Sequence, residues 1–492
     1  MKYFKFFLFL FAFFVFIYLR LTPIINKTVP YTYDQGRDFL KAEEIVRDKN
    51  LTFIGPTTGM AGVNHGAWWY YVVSIPYFLF NGNPISFYYL MFMISVLVNL
   101  AFFFFLKKEF NLITALFFLL IITISPYFIP LAFFASNNIV TPYMILALII
   151  CTYYYSKSRK NLWLFFIALS LGFVFEFEVS FGLFIIPFFT LMMVIFNYKR
   201  KPNIKAIALY FSGFIIPFLP RLLFEVKNGF IQTKTLINFF IVPKLHNPKP
   251  FIDVFKDRLI LFWTYFSGIF YDRNNLLSVF ILIILIGILI KFKNKTYKYE
   301  TTLYFIGLVL LLFLGSLLYK DNFWSNYYEG IQYIFLFIII NAFYLITSGR
   351  NLFLVYGRYI ILILFLTLNI FAFNKEVLSK KDKVLTGLKS SETAVLYVLD
   401  QVKNNDYCLR FYTPPVIPYT YNYLISYYTR INNQKQPQVD FTNNQCWFIV
   451  EKDNFQFRVK KWRKNNEPKR GKKIASKNFN DDYVIELWLG VK

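Results

Sequence analysis

Long apolar runs recur through the first three-quarters of the chain, at roughly 4–22, 84–106, 112–130, 139–155, 161–176, 179–197, 205–224, 275–292, 301–319, 330–348 and 355–373. A hydrocarbon core of about 30 Å takes about 20 helical residues to cross, and these runs are of that order. Backbone groups find no water inside a bilayer, so such runs are helices. The pattern predicts an all-α polytopic membrane protein with about eleven transmembrane helices. The first run starts almost at the N-terminus and lacks a small-residue cleavage site. It reads as an uncleaved first span rather than a removable leader.

Between the runs, charge alternates. With the N-terminus inside, the cytoplasmic loops carry Lys107 and Lys108; Lys157, Arg159 and Lys160; Lys199, Arg200, Lys201 and Lys205; Lys291, Lys293, Lys295 and Lys298; and Arg350 with Arg358. The short opposite loops are poor in such residues: 131–138 has none, and 320–329 has only Lys320. Basic loops stay inside, so the chain is expected to run N-in and C-out. Two outer loops are long, 23–83 and 225–274. Within the first, segment 67–80 is apolar and aromatic but short and broken by Pro76. Treating it as a crossing would reverse every later loop. It is expected instead to be a juxtamembrane helix on the outer leaflet, its Trp and Tyr at headgroup level.

The pattern changes at about residue 374. Runs 407–412, 446–451 and 483–489 alternate as strands do, and 419–428 reads as a helix. A small extracytoplasmic α/β domain over 374–492 is expected after a transmembrane domain over 1–373. Composition agrees, since 57% hydrophobic and 22% aromatic residues exceed what a soluble fold can hide. The net charge of +26 does not indicate nucleic acid: the basic residues flank spans or lie in the last quarter, and no nucleic-acid motif occurs. Cys408 and Cys446 are either a disulfide, if that region is extracytoplasmic, or two buried thiols; Cys151 is packing.

Chemistry-bearing residues gather in the first outer loop. Tyr33-Asp34-Gln35-Gly36-Arg37-Asp38 follows the first span, then Gly55-Pro56, then Asn64-His65-Gly66-Ala67-Trp68-Trp69-Tyr70-Tyr71. Clustered Asp, Arg and His beside an aromatic membrane helix is unlike a passive connector. In a helix, Asp34 and Asp38 would share a face. Other candidates stand at outer span ends: Asn138, Glu176 and Glu178, and Arg221, Glu225 and Lys227. The aromatic loop 321–328 reads as an interfacial belt or a sugar-stacking wall.

An aspartate in the first outer loop, then Gly-Pro, then a His-Gly turn into a Trp/Tyr-rich helix, resembles the C-type glycosyltransferase superfamily. That superfamily includes the protein O-mannosyltransferases and the lipid A aminoarabinose transferase. The resemblance implies a polyprenyl-phosphate sugar donor, an acceptor hydroxyl on a protein, lipid or cell-surface glycan, and a multi-pass plasma-membrane enzyme working on the extracytoplasmic side. It makes Asp34 the expected base, with Asp38 in support. Arg37, His65, Trp68, Tyr70, Asn138, Glu178, Arg221, Glu225 and Lys227 are the expected substrate contacts, some supplying positive charge to the leaving phosphate. The sequence departs from the pattern at Ala67, where relatives have proline, and at Ala135-Ser136-Asn137-Asn138, where many carry an acid. An amide is a poorer metal ligand than a carboxylate; if a cation is used, oxygen ligands favour Mg²⁺ or Mn²⁺. The competing reading is a secondary transporter or lipid flippase, which predicts paired broken helices and charges at mid-membrane.

Overall fold

The computed structural model describes residues 2–197, 203–241, 247–270, 275–291, 296–347, 367, 387–414, 417–442, 444–479 and 483–491. The span expected at 355–373 therefore lies outside the described residues apart from position 367, and His246 and the domain boundary near 374 lie outside them entirely. Ten of the expected spans coincide with helices: α1 (Lys2–Ile25), α4 (Ser86–Glu109), α5 (Leu112–Ile124), α6 (Thr141–Ser158), α7 (Leu162–Phe177), α8 (Val179–Phe196), the pair α9 (Ile204–Gly213) and α10 (Ile215–Lys227), α13 (Leu276–Lys291), α14 (Tyr297–Ser316) and α15 (Ile331–Thr347). Among the described residues, five helices are long and apolar enough to cross a membrane, or six if the α9–α10 pair, bent by 64°, is one span.

Two departures from the sequence reading have plain causes. Helix α5 stops at Ile124 rather than near 130, because Pro126 and Pro130 cannot continue a helical ladder. The carbonyls left open there are met by Arg20 of α1, which is fully buried and donates to Ile122 O at 2.6 Å and Phe128 O at 3.1 Å. The run 205–224 is two helices rather than one straight span.

The first long loop is built, not slack. It holds α2 (Tyr33–Arg47), a two-stranded antiparallel ribbon of β1 (Ile54–Thr57) and β2 (Asn64–Gly66), and α3 (Trp68–Leu79). Helix α3 spans twelve residues, too few to cross, as expected for 67–80. The second long loop contributes α11 (Ile231–Ile241) and α12 (Phe251–Ser267).

The C-terminal unit is a four-stranded sheet in the order β3 (Leu409–Tyr412), β4 (Gln445–Glu451), β6 (Tyr483–Val491) and β5 (Arg470–Phe479). Strands β3 and β4 run parallel and the other pairs antiparallel. Helices Leu388–Val402, Tyr419–Ile431 and Gln456–Asn466 accompany it. Of the two readings of the cysteines, the disulfide is the one found: Cys408 is bonded to Cys446.

Candidate active site

Helix α2 begins at Tyr33, with Thr32 at its N-cap. Its entry is fixed by the Thr32 amide, which donates to Gln35 Oε1 at 2.8 Å. Asp34 therefore lies in the first turn, where the helix N-terminus favours negative charge. Its side chain is 56% exposed and pairs with Arg37 Nη1 at 2.8 Å. Arg37 turns its other edge to Asp38, with Nη2 at 2.8 Å and Nε at 2.9 Å from Oδ1. Asp38 is fully buried, and its Oδ2 accepts from Trp69 Nε1 at 2.7 Å. Tyr70 is buried close to Arg37 and Asp38. Asp34 and Asp38 thus sit on one side of α2 as expected, but in opposite surroundings: one open to solvent, one sealed. Burial pushes the Asp38 carboxyl up to about 6, against the lowering pull of Arg37 and Trp69. Burial works against the charge on Arg37, but Asp38 and Asp34 more than offset it and hold the guanidinium charged.

His65 lies in β2, buried, with Nδ1 accepting from the Val179 amide at 3.4 Å. Burial, then the positive charges of Arg221 and Arg37, push it down to about 3. The imidazole is neutral near pH 7, so His65 adds no positive charge for a phosphate, contrary to the expectation from sequence. With Nδ1 accepting, Nε2 carries the proton.

Arg221 of α10 is likewise not a free cation. Its Nε bonds Glu176 Oε1 at 2.6 Å, Nη1 bonds Gln232 Oε1 at 3.1 Å and Nη2 bonds Asn64 O at 3.0 Å. It ties β2, α7, α10 and α11 into one buried knot. Gly66 has to be glycine beside it, because a Cβ there would overlap the Glu176 carboxylate. Glu225 accepts from the Gln232 and Thr233 amides at 3.1 and 2.9 Å, capping the start of α11. Lys227 is exposed at the end of α10. Trp68 spends its indole N–H on Pro217 O at 2.8 Å.

The remaining candidates come from the loops between α5 and α8. Asn138 is half-buried in the 3₁₀ turn Asn137–Val140, whose Asn137 donates to Phe177 O at 2.7 Å. Glu178, in the α7–α8 turn, is buried, accepts from the Ser180 amide at 3.3 Å, and is raised by burial to about 8. Four loops therefore meet at one end of the bundle: the first long loop, the 137–140 turn, the α7–α8 turn and the start of the α10–α11 connection.

By sequence alone, no known family pattern and no characterised protein matches the chain. Structure is another matter. ArnT from Cupriavidus metallidurans, solved bound to undecaprenyl phosphate, superposes with a TM-score of 0.58 at 11% identity, over 98% of this chain and 97% of that one. Its apo form gives 0.58 at 11% identity, over 96% and 97%. The Archaeoglobus fulgidus oligosaccharyltransferase, solved with Zn and sulfate, gives 0.56 at 11% identity, over 90% of this chain and 68% of that one. The chain has the C-type membrane glycosyltransferase fold.

Within the C-type fold, sequence reasoning missed Gln232 and Glu329. Gln232 joins Arg221 to the Asn64 amide, which donates to its Oε1 at 2.8 Å. Glu329 follows the aromatic loop by one residue. It accepts from Tyr127 Oη at 2.6 Å, is raised by burial to about 7, and in turn raises Glu178. The acid closing DNFWSNYYEG was the available signal. Among the described residues, no three of His, Cys, Asp and Glu gather as metal ligands. Three of the acids at this end are engaged: Asp38 by Arg37 and Trp69, Glu176 by Arg221, and Glu225 by backbone amides.

Proposed function

We propose that this chain is a membrane glycosyltransferase that moves a sugar from a polyprenyl-phosphate donor to an acceptor hydroxyl on the extracytoplasmic face of the cell membrane. One observation carries the reading. A fold shared with an undecaprenyl-phosphate-bound ArnT bears, on its first loop, an accessible carboxylate locked to an arginine. The acceptor oxygen attacks the anomeric carbon and gives its proton to Asp34. The bond from that carbon to the phosphate oxygen breaks, and the electron pair leaves with the lipid phosphate. Arg37 stabilises the charge growing there. Asp38 and Trp69 act on Arg37 rather than on substrate. His65 serves as a neutral hydrogen-bond group.

The disulfide supports the sidedness, since such bonds persist in oxidising compartments. The test is incubation of purified protein with a panel of polyprenyl-phosphate sugars, followed by mass spectrometry. Release of lipid phosphate with a sugar-modified acceptor is expected. Uptake of an unmodified lipid-linked sugar into proteoliposomes, with no release, would instead establish a transporter.

A further inference from the structure

The C-terminal unit is not an appendage beside the site. Helix Tyr419–Ile431 lies along α2, the helix that carries Asp34, Arg37 and Asp38. Contact is closest at Gly36, where a Cβ would overlap the backbone of Tyr419 and Thr420. Around that point, Tyr31 Oη donates to Thr420 O at 3.0 Å, and the rings of Tyr33 and Tyr419 lie 4.9 Å apart. Phe39 stacks on Phe87 of α4 at 3.7 Å and meets Tyr423 edge-on at 5.4 Å. One turn further on, Glu43 is gripped by Arg430 and accepts from Ser426 at 2.9 Å. Arg430 also donates to the Tyr77 hydroxyl at 2.8 Å and Asn81 O at 2.9 Å, so it joins α2 to α3 as well. A second tie runs from Lys27 to Glu392 at 2.7 Å and from Glu392 to Tyr428 Oη at 2.8 Å.

We infer that helix Tyr419–Ile431 is a positioning element for the reaction: it sets the angle of the first turn of α2 and hence where the Asp34 carboxylate points. Without it, the outward side of α2 would face water. A short helix in water is marginal, whatever its capping. Among the described residues, Asp34 pairs only with Arg37 on the same helix, so its direction follows the helix axis. Positioning errors of about 1 Å cost on the order of 10²-fold in rate. The sequence hid this, because residues 36 and 420 stand at opposite ends of the chain.

The inference rests on the transferase reading, so two readouts are paired. In full-length protein in nanodiscs, Gly36→Ala and Arg430→Ala should raise hydrogen exchange of the amides from Tyr33 to Phe39. Both should lower kcat for lipid-phosphate release at least tenfold, with affinity for undecaprenyl phosphate within twofold of wild type. Arg430→Lys, which keeps a charge on Glu43, should recover much of the lost kcat. An unchanged kcat in both alanine variants would overturn the inference, as would a loss traced wholly to lower undecaprenyl-phosphate binding. If wild type turns over no donor while α2 still loosens in the variants, the mechanical coupling stands and the transferase reading falls.

Discussion

At the scale of single residues, identical chemistry has been given opposite tasks by burial. Asp34 and Asp38 share one arginine, yet only Asp34 can meet a substrate. Asp34→Asn is expected to lower transfer by about 10²–10⁴-fold, the usual weight of a positioned base, with expression and membrane insertion unchanged; mass spectrometry of lipid phosphate reads it. Asp38 sets a pH limit. Its folded value of about 6 lies above the ordinary carboxylate range, so its contribution to stability is present in acid and is lost as pH rises through 6. Ionised above that point, it holds Arg37; protonated below it, it lets go. The acid limb of the kcat profile is expected near pH 6. Arg221→Ala leaves Glu176 buried and uncompensated, and is expected to cost about 3–5 kcal/mol, read as a lower thermal midpoint. The motif Tyr33–Asp38 was legible in the sequence because its members are neighbours. The partners of Arg221 were not, since Glu176, Gln232 and Asn64 come from three separate elements, α7, α11 and β2.

At the scale of elements, length and apolarity were enough to locate most helices, because a bilayer leaves the backbone few alternatives. Their ends depended on local chemistry: prolines cut α5 short, and α9–α10 bends by 64°. In the C-terminal unit, strands β3, β4 and β6 were readable from alternating apolar residues. Strand β5 was not, since Arg470–Phe479 is almost wholly exposed and carries Lys where a strand usually carries a buried apolar residue. Helix Gln456–Asn466 was hidden by its basic residues. The ribbon β1–β2 was equally unreadable, yet it delivers His65 and Gly66 to the site. Gly66→Ala is expected to abolish accumulation of folded protein, because the new methyl has no room beside Glu176; size-exclusion profiles in detergent would show it. Basic side chains also gather where α4, α6 and α14 end or begin: Lys157 pairs with Glu109, and Arg159 with Glu300 at 2.9 Å.

At the scale of the whole molecule, orientation is the question on which function turns. A single cysteine at position 34, in a background lacking the other three, is expected to react with a membrane-impermeant thiol reagent applied to intact cells. Protection until the cells are opened would place the loop on the cytosolic side and end the proposal. The disulfide closes a loop of 38 residues between the start of β3 and β4, which in a chain-entropy account is worth about 3–4 kcal/mol. Its removal is expected to lower the melting temperature of the C-terminal unit first. The union of α2 with Tyr419–Ile431 has a further consequence for biosynthesis. Tyr31 finds its partner 389 positions later, so a nascent chain can thread all its spans and still hold an unseated first loop. On the proposed transferase reading, competence then waits until residues 419–431 have been made and docked on α2.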